Sequence, residues 1–135
     1  MTQSPPGQAA RPLSPHVQVW RWHITMFTSI AHRATGVALY AGALMLAGWA
    51  VALAMGPGPY EAYKHLLGSP LGKLVLFGLT VSIFYHLAAG VRHLVWDAGW
   101  GFAPKTADAA SAAAVAFGLV AAAAVWGIAA MMGAL

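Results

Sequence analysis

Three long apolar stretches, roughly Thr35 to Met55, Leu71 to Val95 and Ala110 to Leu135, constrain this chain more than any single motif does. A hydrocarbon core about 30 Å thick needs around 20 apolar helical residues per crossing, and each stretch supplies them. Only 7% of the 135 residues are charged, against roughly a quarter in an ordinary soluble domain, so water is not the main solvent. The expected fold is an all-α membrane protein with three transmembrane helices, near residues 30–55, 71–96 and 109–134. Residues 1–24 read as a cytoplasmic tail and interfacial segment, and residues 25–135 as a three-span anchor. A separate soluble domain does not fit in this length, so catalysis on a polar substrate belongs to another chain.

The chain has no cysteine. Iron–sulfur clusters and most structural zinc sites need thiolates, so any redox centre here rests on histidine or methionine, and a disulfide framework is excluded. Seven basic residues face three acidic ones, and their positions matter more than their sum. With three spans, the N-terminal segment and the second loop share a side that carries Arg11, Arg21, Arg33, Arg92 and Lys105. The first loop holds Lys64 and Lys73 beside Glu61. The positive-inside rule then places the N-terminus in the cytoplasm, or in the matrix for a mitochondrial protein. These charges are scattered at helix ends and form no patch, so nucleic acid is not an expected partner. The first ten residues carry no Arg or Lys and no short apolar core with a cleavage site. That pattern argues against a presequence or a secretory signal and favours a bacterial inner membrane over a mitochondrial inner membrane.

Local signals punctuate the spans. The prolines of Arg11-Pro12-Leu13-Ser14-Pro15-His16 favour an extended approach to the membrane surface, and Trp20 and Trp22 offer amphipathic rings for the headgroup zone. Gly56-Pro57-Gly58-Pro59 breaks the first helix. Tyr60 to Leu67 reads as a short interfacial helix that ends at Gly68-Ser69-Pro70. The third span, rich in Ala, Val and Gly, reads as a packing element, because small residues let helices approach closely in lipid.

Two constellations carry the chemistry. Ser29, His32 and Arg33 share one helical face by their i, i+3, i+4 spacing, just before the most apolar part of the first span. A hydroxyl, an imidazole and a permanent cation at a membrane edge suit a quinone, whose carbonyls want donors and whose reduction develops charge that a guanidinium stabilises. The other reading is that Arg33 snorkels to the headgroups while Ser29 and His32 bond to the backbone. The second constellation is His86, Gly90, Arg92, His93, Trp96 and Asp97. His86 lies near the middle of an apolar run, where an ionisable group is costly and marks a functional site by default. His93 follows about 10 Å further along the same face, and Gly90 leaves that face without a side chain. A flat haem ligated by His86 would lie against it, with its propionates directed towards Arg92 and His93. The alternative is a histidine hydrogen-bonded to a neighbouring helix, with Arg92, His93 and Asp97 forming a boundary ion cluster.

Ser14-Pro15-His16, the run Ser29-Ile30-Ala31-His32-Arg33-Ala34-Thr35-Gly36, and His86 followed by Gly90-Val91-Arg92-His93-Leu94-Val95-Trp96-Asp97 together resemble the cytochrome b membrane-anchor subunits of succinate dehydrogenase, respiratory complex II. The likeness runs from Arg11 through the third span. It implies that His86 is one axial ligand of haem b, and that Ser29 and Arg33 line a ubiquinone site near an iron–sulfur subunit. It further implies that His32, Arg92 and His93 surround the haem propionates or the quinone, with Asp97 and Gly90 nearby. It also implies three partners besides the bilayer: a flavoprotein subunit, the iron–sulfur subunit and a second small membrane anchor. Ala89 stands where many relatives carry Asn, His23 where Gln is frequent, and Trp20 where Tyr is common.

The third span has no histidine, and His32 is read as lying near the cytoplasmic edge, so no second histidine of this chain is expected at the depth of His86. The second axial ligand is then sought on another subunit, which makes the spans part of a heteromeric helical bundle. Met45 is the alternative within the chain. Two rival functions remain at this stage: the anchor of a fumarate reductase, and a cofactor-free structural subunit or small transporter.

Overall fold

A computed structural model describes residues 19–135. Arg11, the Ser14-Pro15-His16 segment and the rest of the first 18 residues lie outside the described residues. The described chain is all-helical, with α1 at Ile24–Ala54, α2 at Pro57–Gly68, α3 at Pro70–Asp97 and α4 at Pro104–Met131. α1, α3 and α4 are long and apolar enough to cross a membrane.

Each boundary has a local cause. His23, in extended backbone, caps α1 by accepting from the Thr25 amide through Nδ1 at 3.4 Å. At 31 residues, α1 is about 46 Å long by the helical rise, longer than the hydrocarbon core. Its opening turns, with Ser29, His32 and Arg33, therefore belong to the helix and not to a lead-in. Gly56 turns the chain after α1 at φ 105°, a left-handed conformation that glycine adopts without a Cβ penalty. The interfacial helix expected from Tyr60 begins three residues earlier, at Pro57, because proline is well suited to a first helical turn that has no amide partner. Ser69 caps α3 by accepting from the Gly72 amide at 3.0 Å, and Pro70 sits in the first turn.

The bundle is built inside out relative to a soluble protein. Its buried residues are small or polar: Ala52, Ala89, Ala114, Ala122, Thr28, Ser82 and Ser111, with Tyr85 and Arg92 the large exceptions. Val37, Tyr40, Leu94 and Met131 are exposed, as lipid-facing side chains should be. Ser111, Ala114, Gly118 and Ala122 form a stripe on α4, and α4 packs chiefly against α3. A Cβ at Gly118 would stand 2.8 Å from the Cβ of Tyr85, so only glycine lets the two backbones come this close. Trp126 Nε1 donates to Thr80 Oγ1 at 3.1 Å further along the same seam. α2 is fastened to α1 where the Tyr63 hydroxyl donates to the Met45 carbonyl at 2.8 Å.

Gly118→Val should lower the unfolding midpoint of the protein in detergent, at a cost of about 1–3 kcal/mol from overpacking. A Cβ at Gly127 meets nothing within 4 Å, so Gly127→Val should leave the midpoint within about 0.5 kcal/mol. Thermal circular dichroism measures both, and equal effects would refute the close-approach role of Gly118.

Candidate functional site

Three imidazoles gather where α1 meets α3. The rings of His32 and His86 stack with centroids 4.1 Å apart and planes 23° from parallel, and the His93 ring lies 5.0 Å from His32. All three residues are half-buried. His93 in turn meets Trp96 edge-on at 5.2 Å. The expectation that no second histidine lies at the depth of His86 is therefore wrong. His32 sits one turn before Gly36, and Gly36 is the residue level with His86: a Cβ there would stand 3.2 Å from His86 Cε1. The error came from measuring depth by hydropathy alone, whereas α1 starts at Ile24 and carries His32 into the helix pair.

As placed, His32 and His86 would not hold one metal between them, because their rings lie face on face and their nitrogens do not converge across a gap. Met45 fares no better, since nine residues beyond Gly36 place it about 14 Å further along α1.

His86 is held by two residues that sequence reasoning passed over. Thr35 Oγ1 lies 3.2 Å from His86 Nδ1, and Gly36 gives the ring edge room. Both belong to the Ser29–Gly36 run, and their spacing after His32 was the available signal. Among the described residues His86 Nε2 makes no hydrogen bond. Gly90, one turn after His86, faces open space, with nothing within 4 Å of a Cβ there. That agrees with a bare helix face but has no explanation within this chain.

Arg92 points elsewhere. Six residues after His86 it lies about 240° round the helix, in the seam where α3 meets α1 and α4. It is 6% exposed. Its guanidinium donates to Thr28 Oγ1 at 3.1 Å and to Ser111 Oγ, and stacks over Trp96 at 4.7 Å. Nε has no partner. The Tyr85 hydroxyl reaches the Thr28 carbonyl in the same knot at 2.6 Å. The boundary ion cluster of Arg92, His93 and Asp97 does not form: Asp97 is exposed at the last turn of α3. Among the described residues the ion pairs are His23–Asp108 at 3.5 Å and Lys64–Glu61 at 3.2 Å. The first ties the start of α1 to α4, and since His23 Nδ1 accepts from the Thr25 amide, its Nε2 is the nitrogen turned to Asp108.

Ser29 is half-buried and Arg33 exposed. Their positions on α1 fall to one side of His32, towards the open rim and away from Thr28. The rim thus carries Ser29, His32, Arg33, His86, Gly90, His93 and Asp97, while Arg92 belongs to the interior. Ser111 lies in an alanine-rich run, where a lone hydroxyl was the signal for a buried polar role.

Fold and site together define a membrane-embedded helical subunit with a histidine-lined face. The family model of succinate dehydrogenase/fumarate reductase transmembrane subunits matches residues 8–125. The chain is 42% identical over 110 residues to the succinate dehydrogenase cytochrome b556 subunit of Paracoccus denitrificans, covering 82% of this chain and 85% of that one. It is 36% identical over 99 residues to the corresponding subunit of Rickettsia felis, covering 73% and 76% of the two chains. It is 42% identical over 96 residues to the mitochondrial cytochrome b560 subunit of Sus scrofa, covering 67% of this chain and spanning 55% of that relative's length. The chain belongs to the succinate dehydrogenase/fumarate reductase transmembrane subunit family.

Ser111→Ala should cost about 1–3 kcal/mol of stability, because a buried guanidinium loses a charge-assisted partner. Unfolding in mixed micelles with increasing dodecyl sulfate reports it, and an unchanged midpoint would remove Ser111 from the knot.

Proposed function

We propose that this chain is the cytochrome b membrane anchor of a succinate:quinone oxidoreductase, that it binds haem b through His86, and that it helps form the site where ubiquinone is reduced. The observation that carries this reading is the state of His86. Its Nδ1 is engaged by Thr35, its Nε2 makes no hydrogen bond among the described residues, and the adjoining rim is open at Gly90. A neutral imidazole with one nitrogen tied and the other free is the donor that haem iron takes. Bound there, haem b would supply a one-electron store close to the quinone site.

The chain's own residues do the rest. Arg33 and Ser29 on the rim bind and orient a quinone carbonyl, the guanidinium stabilising the negative charge that reduction develops. His32, His93 and Asp97 provide polar groups around haem and quinone, with Gly90 leaving the surface flat. Arg92, buried against Thr28 and Ser111, contributes by holding α3 in position and by its positive potential behind the histidines. Since among the described residues neither His32 nor Met45 faces His86 Nε2, a second ligand for the haem iron would come from a partner subunit.

The relatives are named as subunits of succinate dehydrogenase, which supports an assembly. In the proposed one this subunit works with a second small anchor, an iron–sulfur subunit that delivers electrons and a flavoprotein that oxidises succinate, and succinate is oxidised outside this chain. The proposed division is a cytoplasmic tail and interfacial segment over residues 1–24, of which 1–18 lie outside the described residues and Ile24 already opens α1, and an anchor over residues 25–135 in a bacterial inner membrane. The basic residues Arg21, Arg33, Arg92 and Lys105 on one side support an N-terminus in the cytoplasm.

His86→Ala should abolish or strongly perturb the b-type reduced-minus-oxidised spectrum of the purified complex, and an unchanged spectrum would reject the ligand assignment. Arg33→Leu should cut quinone reduction by about a hundredfold, the scale of losing one stabiliser of developing charge, while succinate oxidation by an artificial dye is spared. Equal loss of both activities would point to failed assembly and against a quinone role for Arg33.

A further inference from the structure

The Thr35 hydroxyl meets three polar atoms: the carbonyl oxygen of Ala31 at 2.8 Å, that of His32 at 3.0 Å, and Nδ1 of His86 at 3.2 Å. A hydroxyl has one hydrogen and two lone pairs. Both carbonyls only accept, and they are the nearer atoms, so the hydrogen is directed at them. Turning it to Nδ1 instead would press oxygen lone pairs against two carbonyl oxygens within 3.0 Å. The Thr35 oxygen is therefore the acceptor of its contact with His86, and Nδ1 is the ring nitrogen that carries the proton. Nε2 is left as the bare, electron-donating nitrogen. Two further neighbours flank the ring: Gly36, where a Cβ would stand 3.2 Å from Cε1, and His32, stacked against one face.

We propose that Thr35 is a positioning residue for His86, whose hydroxyl oxygen accepts from Nδ1–H, presents Nε2 as the iron-binding atom and strengthens that nitrogen as a donor. The proposal rests on the haem-binding reading of His86. A hydrogen bond at the far nitrogen raises the basicity of a ligating imidazole. A stronger donor favours the ferric state over the ferrous, which makes such outer bonds a lever on haem potential. Arg92 and the other cation of this region, Arg33, have no hydrogen bond to the His86 ring, so among the described residues Thr35 is the group that acts on Nδ1.

Three variants separate this role from packing: Thr35→Val keeps the shape and loses the oxygen, Thr35→Ala loses both, and Thr35→Ser keeps the oxygen and loses the methyl group. A redox titration of the b-type absorption bands in the purified complex, with the low-spin ferric resonance spectrum, reads the effect. The Val and Ala variants should shift together to a higher reduction potential with altered ferric resonances, while the Ser variant stays with the unmodified complex. Potentials that sort by side-chain size, with Ser and Ala together, would overturn the proposal, as would a flat series across all three. A b-type spectrum that survives His86→Ala strikes the haem reading itself. A spectrum lost in His86→Ala together with a flat Thr35 series strikes the Thr35 proposal alone.

Discussion

The structure depends on a buried cation shared among three helices. Arg92 of α3 is clasped by hydroxyls from α1 and α4, Thr28 and Ser111, and Tyr85 of α3 reaches back to the Thr28 carbonyl. In lipid there is no hydrophobic force drawing helices together, so shape, small residues and polar contacts decide how they meet. Single interhelical hydrogen bonds in membranes are modest, averaging about 0.6 kcal/mol, but a buried guanidinium is costly wherever it lacks partners. The knot is therefore less a source of stability than a constraint on arrangement. Rotating α1 or α4 away from Arg92 leaves the charge without its hydroxyls.

That constraint sets the functional rim. Tyr85 and Arg92 turn into the seam, and His86, one residue after Tyr85, is carried about 100° round the helix to face α1. Seven residues after Thr28, Thr35 lies on nearly the same side of α1, and so meets the His86 ring. The close approach of Gly118 to Tyr85 presses α3 from the opposite side. Thr28 and Ser111 thus bear on the histidine cluster without touching it, by fixing the rotation of the helices that carry it.

The parts of this architecture that run along the chain were legible in the amino-acid pattern. Hydropathy marks the three spans, and Gly56-Pro57 and Ser69-Pro70 punctuate the first two, whereas the start of α4 at Pro104 came earlier than the expected residue 109. What runs around each helix was not legible. A lipid-facing surface is apolar and so is much of the packed interior, so the usual amphipathic contrast that reveals rotation is weak here. Arg92 accordingly read as a partner for haem propionates or, alternatively, as part of a boundary ion cluster with His93 and Asp97, and turned out to be interior, while Arg33, equally basic, stays on the rim. The finer signal lies in size: small and hydroxylated residues at 111, 114, 118 and 122 face inward on α4, where large aliphatic ones would have kept the helices apart. His32 was misplaced for a different reason, since its depth was judged from hydropathy while α1 begins at Ile24 and carries it into the helix pair.

The histidine rim is also incomplete as a unit of one chain. Among the described residues His32 Nε2, covered by this chain's own atoms, has no hydrogen-bond partner, a state that costs about 1–3 kcal/mol when nothing satisfies the atom. At Gly90 no described residue comes within 4 Å of where a Cβ would stand, and Arg33 and Asp97 are exposed. On the seam side, by contrast, glycine and the hydroxyls each answer a contact that can be named. Tight packing on one side with the chemically capable residues on the other is the arrangement expected of half a site under the proposed function. This asymmetry, rather than any single motif, is why the proposed haem and quinone chemistry calls for a second anchor against the α1–α3 face.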